Sequence, residues 1–178
     1  MIEEFLLFKR GDHGMYKWEI RTLYETALSQ KPKVIVEIGA RTGNSSIALA
    51  TAAKEVGGHL YSIDPDLTFH EGWEKNLTQF GVREYATKII GASPWIDVSQ
   101  IPMPIDFLFI DGNHWTRWVL VDYHFWKHYL RKKGMIAMHD VAFPSVKIAI
   151  DIIKSTDKHL KEISWIEKGK RGLGVWQL

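Results

Sequence analysis

Residues 34–46 read VIVEIGARTGNSS. Val34-Ile35-Val36 is a β-branched run that continues into Glu37-Ile38 and breaks into a glycine turn, Gly39-Ala40-Arg41-Thr42-Gly43. Asn44, Ser45 and Ser46 then open an apolar helical pattern through Ile47, Ala48, Leu49, Ala52 and Ala53. A buried strand, a glycine turn and a helix start in direct succession open a βαβ unit. Glycine lets backbone approach a ligand closely, and the helix start offers unpaired N–H groups. The turn has the form E-x-G-x-x-x-G, not the G-x-G-x-x-G of dinucleotide sites.

Outward from this stretch, strands and helices alternate. Before it, Met1–Gly14 reads as an irregular lead and Met15–Ser29 as a helix closed by Pro32. After it, the helix over Asn44–Val56 stops at Gly57-Gly58. Strand two spans His59–Ile63 and ends at Asp64-Pro65. A helix over Phe69–Phe80 follows, then strand three, Ala86–Ile90. A helical turn over Trp95–Ser99 precedes strand four, Ile105–Ile110, which ends at Asp111. Arg117–Tyr129 reads as a helix. Arg131-Lys132-Lys133 then reads as its cationic C-terminal end. Strand five is Met135–Met138, followed by His139-Asp140. A helix over Ser145–Ser155 leads to strands at His159–Ile166 and Leu173–Leu178, joined by a turn at Gly169–Gly172. The order predicts an α/β fold: a doubly wound, mostly parallel seven-stranded sheet with a C-terminal antiparallel hairpin.

Bulk composition narrows the class. With 178 residues, one domain over 1–178 is expected, residues 1–31 forming an N-terminal helical segment. Apolar content of 46% and charged content of 25% are those of a globular protein. A net charge of +2 gives no argument for nucleic acid or anionic membrane. Cysteine is absent, which excludes disulfide and thiolate chemistry and fits a reducing cytoplasm. No apolar run reaches membrane-spanning length, and Glu3 and Glu4 are unlike a secretory leader. The expected location is cytoplasmic.

Four carboxylates, Glu37, Asp64, Asp111 and Asp140, fall where apolar strands end. Open α/β sheets bind ligands at that edge. A carboxylate after strand two suits the two hydroxyls of a ribose. Glu37, just before the turn, disfavours a pyrophosphate and favours a cationic ligand without phosphates, such as S-adenosylmethionine.

VIVEIGARTGNSS, YSIDPD, GAS, FLFIDGNHWTRWVLVDY and GMIAMHDV stand in series at successive strand ends. Over Val34–Val141 the chain therefore resembles a class I S-adenosylmethionine-dependent methyltransferase with a Rossmann-like sheet. The similar branch includes catechol O-methyltransferase-like, macrocin O-methyltransferase-like and cephalosporin hydroxylase-like proteins. The resemblance implies that Glu37, Gly39, Thr42 and Gly43 line the methionine part, with Ser45 binding the cofactor at the helix start, and that Asp64 holds the ribose. It implies Ala92 and Ser93 at the adenine edge, Asp111 below the methionine end, and Asn113, His114 and Trp115 beside the cofactor.

Related enzymes hold a divalent cation between strands four and five, which makes Asp111 and Asp140 candidate ligands for Mg²⁺. The related pattern continues Asp-Asn; here it is Asp140-Val141, so a third ligand is missing. Strand alternation turns His139 away from Asp140. His114, His139 and Asp140 are the catalytic candidates, with the histidines as bases or Asp140 as their orienting partner. Trp18, Phe69, Trp73, Trp115 and Phe143 are candidates for the acceptor wall. The implied reaction is O-methylation of a small molecule. A non-catalytic nucleoside-binding protein and a NAD-dependent oxidoreductase are the alternatives. Nucleic acid and membrane partners are disfavoured, and a homodimer is a candidate assembly.

Overall fold

The apolar runs at residues 34–38, 59–63, 86–90, 105–110 and 135–138 all lie in strands. The computed structural model describes residues 2–8, 14–169 and 171–178. The elements are α1 (Ile2–Phe8), α2 (Lys17–Ser29), β1 (Val34–Ile38), α3 (Asn44–Val56), β2 (His59–Asp64), α4 (His70–Gln79), β3 (Ala86–Ile90), β4 (Ile105–Ile110), α5 (Thr116–Trp126), β5 (Leu130–His139), α6 (Pro144–Thr156), β6 (Lys161–Lys168) and β7 (Arg171–Gln177). They make one sheet of seven strands in the order β3-β2-β1-β4-β5-β7-β6. β1 to β5 run parallel, and β7 runs antiparallel to both β5 and β6. The expected fold class holds.

Alternation along the strands builds two cores. Ile35, Leu60, Phe107, Phe109 and Ala137 pack against α2, α3 and α4. Val36, Ile38, Leu108, Ile110 and Ile136 pack against α5 and α6. Both faces are covered, which is why the central strands are apolar throughout. Among the described residues, no helix is long and apolar enough to cross a membrane.

Four readings of local structure need correction. Residues 2–8 are helical where an irregular lead is expected. Phe5 meets Phe80 edge-to-face at 5.0 Å, so tertiary packing makes a helix too short to stand alone. The α5 helix ends at Trp126 and passes through a 3₁₀ turn over Lys127–Tyr129. Arg131-Lys132-Lys133 consequently opens β5 instead of ending a helix; Arg131 Nε meets Asp106 Oδ1 of β4 at 2.6 Å, tying the basic run to the sheet. The helical turn expected over Trp95–Ser99 lies at Val98–Gln100.

The sheet order puts the C-terminal ends of β1, β2, β4 and β5 side by side. The turns there are fitted closely. Gly39 has φ +90°, and a Cβ on it would lie 2.1 Å from the Asp111 carbonyl oxygen. Gly39→Ala therefore meets both a left-handed backbone and a backbone clash that no rotamer relieves. It should lower unfolding stability by about 3 kcal/mol or more in denaturant titration. Wild-type stability in that variant would show that the two turns can part freely.

Candidate active site

A cavity of about 860 Å³ opens at this edge. Its wall includes Gly39, Thr42, Ser45, Asp64, Ala92, Ser93, Asp111, Asn113, His114 and Asp140. Most of the residues singled out from sequence are thus brought together. Glu37 and Gly43 line no part of it. Gly43 is the residue before α3, with φ +91°, and a Cβ there would lie 2.8 Å from Leu77 Cδ1. It shapes the turn from behind.

Glu37 faces the core on the α3 side and is fully buried. Ser46 Oγ and Ser62 Oγ each donate to its Oε2 at 2.5 Å, and Trp73 Nε1 donates to Ser46 Oγ at 2.9 Å. Burial raises its pKa to about 7 against the hydrogen bonds from Ser45, Ser46 and Ser62, with the charge of Asp111 adding to the rise. The carboxyl thus holds the turn from below through its contacts with serines. Trp73, expected in the wall, is a core residue for the same reason.

Asp64 ends β2 at the cavity. Its Oδ2 accepts the Arg41 backbone N–H at 2.7 Å and its Oδ1 accepts that of Asp66 at 2.8 Å. Both oxygens are fixed in place, and each keeps a lone pair for a ligand. Arg41 adopts φ +41°, which brings its N–H to this carboxylate.

Between β4 and β5 lies a network of charges. His139 Nδ1 is 3.1 Å from Asp111 Oδ1 and 3.4 Å from Asp140 Oδ2. Its Nε2 is 3.1 Å from Glu19 Oε1. His114 Nε2 is 2.9 Å from Asp140 Oδ2 and 3.7 Å from Asp111 Oδ1. The expectation that His139 turns away from Asp140 is therefore corrected. β5 ends at His139, and Asp140 takes φ +52°, which breaks the extended alternation and folds its carboxylate back.

Charge sets the protonation states of this network. His114 is raised to about 9, first by its hydrogen bonds to Asp111 and Asp140. Burial opposes charge on His139, but the charge of Asp111 and hydrogen bonds to Asp111, Asp140 and Glu19 prevail and raise it. Burial likewise opposes ionisation of Asp140, and hydrogen bonds from His114 and His139 hold it well below the carboxylate range. His139 is 4% exposed and lies behind the main cavity wall.

Glu19 was not visible as a site residue from sequence. Its signal is a carboxylate four residues before Leu23, on the buried face of α2. Asp122 escaped too, a lone acid among the apolar residues of α5; it lines the cavity. Of the aromatic candidates, Phe69 lines the cavity, whereas Trp18, Trp115 and Phe143 do not; Trp95 and Trp118 take their place, with ring centroids 5.5 Å apart.

The state of Glu37 has a consequence for stability. A carboxyl whose pKa rises from 4.5 to about 7 on folding favours the fold most at low pH. Its contribution is lost as pH rises from 4.5 to about 7, because the native state binds the extra proton. The loss is roughly 3 kcal/mol at most. Denaturant unfolding at pH 5 and pH 8 should show a smaller difference in Glu37→Gln than in wild type. An unchanged difference would mean that the carboxyl is ionised throughout.

A family model described as a methyltransferase domain matches residues 36–141. The O-methyltransferase TomG from Streptomyces achromogenes, solved in complex with SAM, superimposes with a TM-score of 0.80 at 19% identity, over 99% of this chain and 88% of that one. An O-methyltransferase from Bacillus cereus, in complex with SAH, gives 0.81 at 14% identity, over 99% of this chain and 90% of that one. Among curated proteins, a 4-hydroxy-3-methylbut-2-enyl diphosphate reductase of Hamiltonella defensa is 36% identical over 73 residues. That similarity takes in 41% of this chain and spans only 23% of the reductase. The family match runs from β1 through the residue after Asp140, and so includes the glycine turn and all four strand-end carboxylates: the chain belongs to the methyltransferase domain family.

Proposed function

We propose that this protein transfers a methyl group from S-adenosylmethionine to an oxygen of a small acceptor molecule. The observation that carries the reading is Asp64, whose two oxygens are fixed by backbone N–H groups and face the cavity with lone pairs to spare. That arrangement suits a vicinal diol. Gly39, Thr42 and Ser45 would hold the methionine part, and Ala92 and Ser93 the purine edge. The likeness to structures solved with SAM or SAH supports the same cofactor.

S-adenosylmethionine supplies an electrophilic methyl on a positive sulfur, so the protein mainly aligns the donor and acceptor. Asp111 puts a carboxylate beside the region assigned to the methionine end. His114 lies on the cavity wall and holds a proton at neutral pH, paired with Asp140. A cation there stabilises the oxyanion of a hydroxyl acceptor and so favours its ionised, nucleophilic form. Gly14, Met15 and Arg171 complete the cavity from the N-terminal segment and β7.

The family branch also implies a metal. Val141 offers no ligand atom, but the imidazole of His139 joins Asp111 and Asp140, with one donor atom of each within 4.8 Å of the others. The residues fit a cation with two carboxylates and one nitrogen. A bound cation would lower the pKa of an acceptor hydroxyl. Glu19, facing the second nitrogen of His139, would orient the ring as carboxylates do behind metal-binding histidines. A nitrogen in the set favours Mn²⁺, Co²⁺ or Zn²⁺ over Mg²⁺.

Two measurements test these readings. Titration calorimetry should show S-adenosylhomocysteine binding to wild type, weakened at least tenfold in Asp64→Ala, and no binding of NAD. Failure of the folded wild type to bind it defeats the cofactor assignment. In equilibrium dialysis, Mn²⁺ should be retained more strongly than Mg²⁺, and His139→Ala should abolish the difference. Equal retention of both ions by wild type defeats the three-residue metal site.

A further inference from the structure

Arg171 is a charged cavity residue to which the proposed reaction gives no task. It opens β7, immediately before Gly172, whose carbonyl accepts the Val141 N–H at 3.3 Å. The residue therefore stands beside the end of β5, in the same cavity wall as His114 and Asp140. Its guanidinium is fixed from two sides. Nη1 donates to the Gly14 carbonyl, and Cζ lies 5.3 Å from the centroid of the Tyr16 ring. The Gly14 contact uses Nη1 and leaves the edge formed by Nε and Nη2 without a partner among the described residues. Two parallel donors on that edge match the two oxygens of a carboxylate.

The charge of Arg171 is also uncompensated. His114 and His139 answer Asp111, Asp140 and Glu19. Among the described residues no carboxylate forms an ion pair with Arg171. Its partner directly across the hairpin is a second cation, Lys168, whose Nζ lies 4.8 Å from the centroid of the Trp18 ring. Like charges that face each other across an antiparallel pair destabilise it. An anion bound by Arg171 would offset that cost.

We propose that Arg171 binds a carboxylate of the methyl acceptor, and that the acceptor is a small hydroxy acid whose hydroxyl lies at His114. The inference rests on the S-adenosylmethionine reading and names the acceptor class within it. The cofactor's own carboxylate has another place. Gly43 gives the 13-residue helix α3 no side-chain cap, so the first N–H groups of α3, at the turn assigned to the methionine part, are free for an anion. Arg171 comes instead from β7, which β4 and β5 separate from β1. A guanidinium fork and a protonated imidazole then hold the acceptor at two points, its anionic end and its reacting oxygen. Attachment at two points fixes the direction of the nucleophile, which is what a reaction governed by alignment needs.

The test uses 3,4-dihydroxybenzoate and its primary amide, which share shape and hydroxyls and differ in charge. Each is titrated by calorimetry into protein saturated with S-adenosylhomocysteine. Wild type should bind the acid about 10- to 100-fold more tightly, the scale of hydrogen bonds between charged partners. In Arg171→Gln the ratio should approach one. In Arg171→Lys, which keeps the charge without the fork, it should recover in part. A loosened N-terminal segment would weaken acid and amide together, so a ratio that stays at its wild-type value in Arg171→Gln overturns the proposal. If that variant also binds S-adenosylhomocysteine at least tenfold more weakly, Arg171 holds the cofactor's carboxylate instead. Equal binding of the two probes by wild type, or binding of neither, overturns the proposal while the cofactor assignment stands. Failure of wild type to bind S-adenosylhomocysteine overturns the cofactor assignment, and the proposal with it.

Discussion

The carboxyl of Glu37 is the point at which four elements meet. It belongs to β1, its serine partners to α3 and β2, and the tryptophan behind Ser46 to α4. A buried acid is costly, and here the cost is reduced by two short hydroxyl donors and by a pKa that lets it stay neutral. The arrangement fixes where α3 begins relative to β1. The conformation of the glycine turn between them, and with it the cavity floor, depends on that distance. A carboxyl is a better anchor here than an apolar side chain, because hydrogen bonds specify direction as well as contact.

The network between β4 and β5 follows another rule. Asp111, Asp140 and Glu19 present three carboxylates to two histidines. The fold compensates excess anion with imidazole charge, so the histidines hold protons that free imidazoles would give up near neutral pH. The same carboxylates that raise the histidines would attract a cation in their place. The site is therefore suited to positive charge in more than one form, which is what a sulfonium-bearing ligand requires.

Much of this was legible in the chain. The limits of β1, α3, β3 and β4 follow from glycine and proline stops and from runs too apolar to be exposed. The strand-end position of Asp64, Asp111 and Asp140 follows from the same runs. What escaped depends on geometry that period-based reading lacks. His139 and Asp140 converge because the left-handed backbone at Asp140 ends the alternation. Arg131 belongs to the sheet because Asp106 pairs with it, a contact made only after β4 and β5 are aligned. Glu19 and Asp122 were not singled out; the apolar residues sharing their faces, Leu23 for one and Val119 and Trp126 for the other, are the sequence signal that could have found them.

The strand order also bears on how the sheet is assembled. β7 lies between β5 and β6, so β6 has no partner in the sheet until the segment that follows it in the chain has docked. β6 is held in the sheet through β7 alone, and β7 covers the edge that β5 would otherwise leave open. Shortening β7 would remove an interior strand and release β6 with it, a much larger loss than trimming the opposite edge at β3. The hairpin also supplies Arg171 to the cavity, where it donates to the Gly14 carbonyl. One wall of the cavity is therefore tied to the pairing of β7 with β5, and a sheet without that pairing would lack that wall.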